Sequence, residues 1–184
     1  MFALISELSE PATVQVMRLW RQLNQNCGLE GIFNYPNPHF TWFSAEMLEV
    51  ERCEPIIEVI TQETAAFDVH TSGLGFFDGE DPVLYLPVVK SPQLMRLHQK
   101  LWDQLMPYGK GLNEFYSPDE WIPHISLALR DLTLKNLPCA IQSIGNEPFD
   151  LVTTVNTIWV VKSENQSTGE TLSVFDLTSE GSEA

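Results

Sequence analysis

Positive charge is what this 184-residue chain has least of: ten Lys and Arg stand against 25 Asp and Glu, for a net charge of −15. A surface so acidic repels long polyphosphate chains, which argues against a protein that coats duplex DNA or RNA. A short nucleotide in a local pocket stays compatible, provided the pocket makes its own hydrogen-bonding or positive environment. Cysteine is scarce too. Cys27, Cys53 and Cys139 are odd in number, far apart and form no CxxC pair. They read as buried free thiols of a reducing compartment, with nothing nearby to support a nucleophilic cysteine. No apolar run reaches the length of a membrane span, so no membrane partner is expected. No basic leader or small-residue cleavage site follows Met1, so a cytoplasmic chain without a signal peptide is expected. There is no Gly-rich phosphate loop and no obvious metal-ligand cluster, so neither cofactor nor metal is expected.

What is present reads as globular: 43% of residues are hydrophobic and 19% charged. One two-lobed domain is expected over residues 1–178, with a flexible acidic tail over 179–184. A short strand over 2–7 precedes a helix in which Val16, Leu19, Trp20 and Leu23 recur at the spacing of one helix face. Ser9 is a possible cap for it, Pro11 suits its first turn and Gly28 its end. A loop over 29–38 leads into a strand at 39–43. A second helix is expected to start near Glu54, with Pro55 in its first turn. Two strands follow at 67–77 and 83–89, joined by the turn Asp78-Gly79-Glu80-Asp81-Pro82. That acidic turn reads as solvated and lacks the pattern of a calcium loop. A clear amphipathic helix covers 92–106, a loop 109–118, a strand 124–129 and a short helix 131–143. Two strands at 149–161 and 171–177 close the order. Mixed helices and frequent hairpins favour an α+β domain with antiparallel sheets over a doubly wound parallel one.

One short pattern is written twice. Residues 38–43 read Pro-His-Phe-Thr-Trp-Phe and residues 123–128 read Pro-His-Ile-Ser-Leu-Ala. Residues i and i+2 of a strand share a face, so His39 with Thr41, and His124 with Ser126, each project together. Two such strands facing across a cleft would collect two imidazoles and two hydroxyls. That set suits displacement at phosphorus, which needs a base for the attacking oxygen and an acid for the leaving one. Imidazole titrates near neutral pH and can serve as either. Hydroxyls can hold the non-bridging phosphate oxygens. The spacing does not distinguish base from acid. His70-Thr71-Ser72 fits the minimal pattern but lacks the proline and the intervening apolar residue, so His70 reads as a structural or surface residue. His98 reads as a solvated helix histidine beside Arg96, Gln99 and Lys100.

The twin His-x-Thr/Ser motif, half a domain apart and each opening a strand, resembles the 2H phosphoesterase superfamily. That group includes 2′-5′ RNA ligase-like proteins and cyclic nucleotide phosphodiesterases. The resemblance runs over residues 2–177 in the order of elements. It implies a bilobal, pseudo-symmetric fold: two antiparallel sheets, outer helices and a central cleft holding both histidines. It further implies a metal-independent phosphodiesterase acting on a 2′,3′-cyclic phosphate or 2′-linked phosphodiester of a nucleotide or short RNA end. His39 and His124 would be the acid/base pair, and Thr41 and Ser126 the phosphate donors. Ser126 departs from the commoner Thr but supplies the same hydroxyl.

Around the motifs, Trp42 and Phe43 read as core. Tyr116 and Trp121 precede the second motif and are candidates to stack on a base, beside the plainer structural reading. Arg130 and Lys162 sit near strand ends and could offset negative charge without being catalytic. Two rival functions stand beside the enzyme. One is a non-catalytic nucleotide or RNA-end binding module on the same fold. The other is an acidic partner-binding protein whose motifs coincide by chance, in which the two histidines lie far apart.

Overall fold

In the computed structural model, residues 1–163 and 169–179 are described. The acidic tail expected over 179–184 lies, Ser179 apart, outside them, as do residues 164–168. The first strands are β1 (Phe2–Glu7), β2 (His39–Leu48), β3 (Phe67–His70), β4 (Gly75–Phe77) and β5 (Val83–Pro87). They are followed by β6 (Gly109–Leu112), β7 (His124–Ala128), β8 (Val152–Val155), β9 (Thr157–Lys162) and β10 (Glu170–Asp176). One lobe is a five-stranded sheet of order β10-β9-β1-β2-β6, antiparallel throughout. The other is built from β4-β5-β7 and β3-β8.

The expected strand over 67–77 is a bent one. Its first half, β3, pairs with β8 and its second half, β4, with β5. A bridge between Thr71 and Val88 carries the pairing across the bend. Gly73 at the bend has φ +72, where a side chain would be strained. The expected strand over 149–161 is likewise two strands, broken at Asn156, because β8 and β9 belong to different lobes. Strand β6 falls where a loop was expected. Its sequence Gly-Lys-Gly-Leu has no strand preference, and pairing with the far end of β2 supplies the order.

Among the described residues, four α-helices cover the sheets: α1 (Ala12–Cys27), α2 (Val50–Gln62), α3 (Pro92–Leu105) and α4 (Leu137–Ile144). Helices α1 and α4 pack together, with α1 against β7, while α3 packs on β2 and α2 on β10. As their spacing predicts, Val16, Leu19, Trp20 and Leu23 are buried, and Gly28 ends α1 in the left-handed region. Ser9 does not cap α1; its hydroxyl is spent on Thr153 and on the Thr154 amide. Helix α2 begins at Val50 rather than near Glu54, so Pro55 lies inside it. Burial of Cys53 draws the extra turn into the core. Helix α4 starts later than expected, with Pro138 in its first turn, where the missing backbone N–H costs nothing.

The expectation of three free thiols is corrected. Cys27 and Cys139 form a disulfide that ties the end of α1 to α4 across 112 residues. Only Cys53 is a free, buried thiol among the described residues. Burial, with Glu49 and Glu54 nearby, pushes it up to about 11, leaving it protonated and inert. No helix among the described residues is long and apolar enough to cross a membrane.

His98 is corrected as well: it is fully buried rather than solvated. Its ring stacks on Trp121 with centroids 3.7 Å apart, and Trp121 stacks in turn on Trp42. Its Nε2 lies 3.0 Å from the carbonyl of Tyr116, which can only accept, so Nε2 carries the proton. Burial pulls its pKa down to about 4. Between pH 6.5 and 4 the unfolded chain binds the proton that the folded chain refuses, so stability falls as pH drops through this window. By pH 5 this costs about 2 kcal/mol. Denaturant unfolding at pH 7 and 5 is expected to show this loss in the wild type and a flatter response in His98→Gln. Equal pH responses in the two proteins would remove His98 as the source.

Candidate active site

The two motif strands are built alike. Where β2 pairs with β1, Leu4 faces Phe43 and Ile5 faces Thr41, so Trp42 is an extra, bulged residue. Where β7 pairs with β5, Leu84 faces Ala128 and Tyr85 faces Ser126, so Leu127 is extra. Each bulge thus falls immediately after the motif hydroxyl residue, where it turns the strand and ends the simple alternation. An indole secures each bulge. Trp121 Nε1 donates to the Thr41 carbonyl and Trp20 Nε1 to the Ser126 carbonyl, both at 3.0 Å.

The imidazoles are held alike too. His39 Nδ1 lies 3.0 Å from the carbonyl of Asn37, and His124 Nδ1 lies 2.7 Å from that of Ile122. A carbonyl only accepts, so each Nδ1 carries the hydrogen and each neutral ring keeps its lone pair on Nε2. His39, Thr41, His124 and Ser126 all line one cleft of about 460 Å³ between the lobes. The reading in which the histidines lie far apart therefore fails.

Burial is the main influence on both rings and lowers both pKa values from 6.5. The secondary influences differ. Glu7, held by two 3.1 Å contacts from the Asn37 amide, favours charge on His39. Charge on His39 disfavours charge on His124. Aromatic rings frame both. Tyr35 lies 5.5 Å from His39, while Phe77 and Tyr85 lie 5.0 and 5.2 Å from His124. Tyr85 reaches that place across Gly75, where a Cβ would collide with the Tyr85 ring. Strand alternation alone did not mark Glu7, Tyr35, Asn37 or Tyr85, because their roles depend on which strands become neighbours. Pairing of Glu7 with His39 across β1 and β2 was the one signal available, once the strands are aligned.

The flanking expectations divide. Tyr116 lines the cleft; burial pushes its phenol above the ordinary value, against a smaller opposing effect of the Thr41 hydroxyl. Trp121 is corrected: only 1% exposed, it is sandwiched in the core and cannot meet a base. Trp42 and Phe43 are core, and His70 is exposed, as expected. Arg130 lies over the Tyr35 ring, 5.4 Å from its centroid. No Lys or Arg is among the described residues that line the cleft. Nor, among the described residues, do three His, Cys, Asp or Glu side chains converge as a metal site.

A paired-imidazole cleft between two antiparallel lobes defines the 2H phosphoesterases. Residues 9–167 match the sequence model of the 2′-5′ RNA ligase superfamily, and the chain belongs to that family. No curated protein matches it in sequence. Among solved structures, it is similar to TT0787 of Thermus thermophilus, with a TM-score of 0.68 at 19% identity, covering 97% of this chain and 98% of that one. E. coli LigT complexed with 3′-AMP gives a TM-score of 0.59 at 14% identity, covering 96% and 97%. Usb1 of Kluyveromyces marxianus gives 0.55 at 13%, covering 93% and 96%. These identities carry the fold. Family membership supports phosphodiester chemistry on nucleotides or RNA.

Proposed function

We propose that the chain is a phosphodiesterase that opens a 2′,3′-cyclic phosphate, or cuts a 2′-linked phosphodiester, on a nucleotide or short RNA end. The observation that carries this reading is the matched pair of imidazoles. Each is fixed through Nδ1, each offers Nε2, and each has a hydroxyl two residues on along the same strand face. In hydrolysis a water oxygen bonds to phosphorus while one P–O bond breaks. One histidine takes the proton of the water and the other gives a proton to the leaving oxygen. Glu7 favours charge on His39, and charge on His39 disfavours charge on His124, so the pair carries one proton more readily than two and supplies one acid and one base. Thr41 and Ser126 donate to the non-bridging oxygens. A cleft whose described lining has no Lys or Arg suits a phosphodiester with its single negative charge. The complex of E. coli LigT with 3′-AMP supports a nucleotide ligand.

The test is turnover of the four nucleoside 2′,3′-cyclic phosphates with EDTA present. Steady hydrolysis insensitive to EDTA is expected; no turnover of any of them, nor of a 2′-5′ dinucleotide, would sink the proposal. Within the same assay, Thr41→Val and Ser126→Ala are each expected to lower kcat by about 100-fold, the usual cost of one lost donor to a reacting oxyanion. A kcat within a factor of about two of the wild type would take the hydroxyls out of the mechanism.

A further inference from the structure

Cys27 is the last residue of α1, and Cys139 lies in the first turn of α4. Their disulfide is near the surface: Cys139 is exposed and Cys27 half-buried, unlike the fully buried Cys53. The loop it closes, residues 27–139, contains both histidine motifs. Along α1, the Trp20 indole donates to the Ser126 carbonyl at the second bulge. Just beyond Cys27 the chain is clasped to the end of β7: the Asp131 carboxylate accepts from the Glu30 and Gly31 amides at 2.6 and 2.8 Å. From there it runs to Tyr35, against the His39 ring, and to Asn37, whose carbonyl holds His39 Nδ1.

The clasp carries costs of its own. The other carboxylate oxygen of Asp131 is buried and has no hydrogen-bond partner among the described residues. Gly31 packs so closely on Leu129 that a Cβ would lie 2.2 Å from its carbonyl oxygen. Arg130, between Leu129 and Asp131, has φ +70, where a residue with a side chain is strained. Disulfide and clasp together enclose one small ring, made of residues 27–31 and 131–139. The disulfide thus holds together the two segments that the clasp joins at a cost. Helix α4 has other anchors: Gln22 donates to the Ser143 carbonyl at 2.6 Å, Asn26 to the Ser143 hydroxyl at 2.9 Å, and Arg18 pairs with Glu147. Opening the disulfide therefore loosens the clasp without releasing the helix.

We propose that Cys27 and Cys139 form a thiol–disulfide exchange site through which a dithiol reductant lowers the activity of the cleft. A thiolate of the reductant bonds to the exposed Cys139 sulfur, the S–S bond breaks, and Cys27 leaves as a thiolate and takes a proton. The second thiolate of the reductant then displaces Cys139, whose new thiol can donate to the Asn26 carbonyl 3.4 Å away. Two electrons pass to the protein sulfurs, and the dithiol ends as a disulfide. This adds redox control to the phosphodiesterase reading, on which its activity readout alone rests.

The experiment compares the air-oxidised wild type, the same protein in dithiothreitol, and the double variant Cys27→Ser/Cys139→Ser. Iodoacetamide applied to the folded protein is expected to label no cysteine before reduction and both Cys27 and Cys139 after it, Cys53 staying buried. Reduction is expected to lower Tm by about 10 °C, as for release of a loop of this length. Amide exchange at Glu30 and Gly31 is expected to accelerate about tenfold. The kcat on a nucleoside 2′,3′-cyclic phosphate is expected to fall about three- to tenfold, short of the hundredfold cost of full misplacement. The double variant is expected to show the reduced values with or without dithiothreitol, and reoxidation to restore the wild type. A disulfide that dithiothreitol does not open in the folded protein would overturn the proposal. So would an opened one that leaves the Glu30 and Gly31 amides, or the kcat of an active enzyme, unchanged. If amide exchange follows the disulfide while no cyclic phosphate is turned over in either state, the redox coupling stands and the catalytic reading falls.

Discussion

His39→Ala and His124→Ala are each expected to lower turnover of a nucleoside 2′,3′-cyclic phosphate by about two to four orders of magnitude, the range for loss of a positioned general acid or base. The double variant is expected to lose little more than the worse single one, because in the proposed mechanism the two imidazoles act as one unit on opposite oxygens of one phosphorus. The pH dependence follows from the same pair. The proposed mechanism needs one ring protonated and one neutral, so a bell-shaped kcat/KM is expected. Burial lowers both pKa values, which puts the maximum on the acid side of pH 6.5. Glu7→Gln removes the charge that favours a protonated His39, so its maximum is expected to move further to acid. Near-wild-type turnover in either histidine variant would end the two-histidine mechanism. A maximum above about pH 7 would contradict the electrostatic account of it.

The second large effect is expected at a residue that touches no substrate. Trp121 is buried between His98 and Trp42, and its indole donates to the carbonyl of Thr41 at the bulge of the first motif. Trp121→Ala removes a large core side chain and leaves a cavity, for a loss of about 3–5 kcal/mol of stability. Set against a net stability of about 5–15 kcal/mol for an ordinary domain, that is a large share. Trp121→Phe keeps a ring in the stack but leaves the Thr41 carbonyl without its donor, at about 1–3 kcal/mol. That variant is expected to fold yet show a lowered kcat, since the freed carbonyl no longer fixes the bulge that aims Thr41. Denaturant melts together with kcat check both. A shift below about 1 kcal/mol for Trp121→Ala would mean that the stack is not part of the core.

How far the sequence alone could be read depended on how local each feature is. The i, i+2 placement of His39 with Thr41 and of His124 with Ser126 follows from the period of a strand. Helices α1 and α3 follow from the period of their apolar residues, and the β4–β5 hairpin from its turn residues. In each case neighbouring residues carry the physical cause, so no partner need be known.

What tertiary structure decided is what chain neighbours cannot encode. His98 and Trp121 carry polar atoms that, in sequence, read as solvent-facing or ligand-facing; a carbonyl acceptor for each, supplied by Tyr116 and Thr41, is what admits them to the core. Strand β6 exists because β2 runs on far enough to pair with it. Cys27 and Cys139 meet only because α1 and α4 pack together. The carbonyls of Asn37 and Ile122 fix which nitrogen each motif histidine offers, and backbone carbonyls are the same at every position of a sequence. Local periodicity determined which side chains travel together; burial, pairing and hydrogen-bond satisfaction over long separations decided what they face.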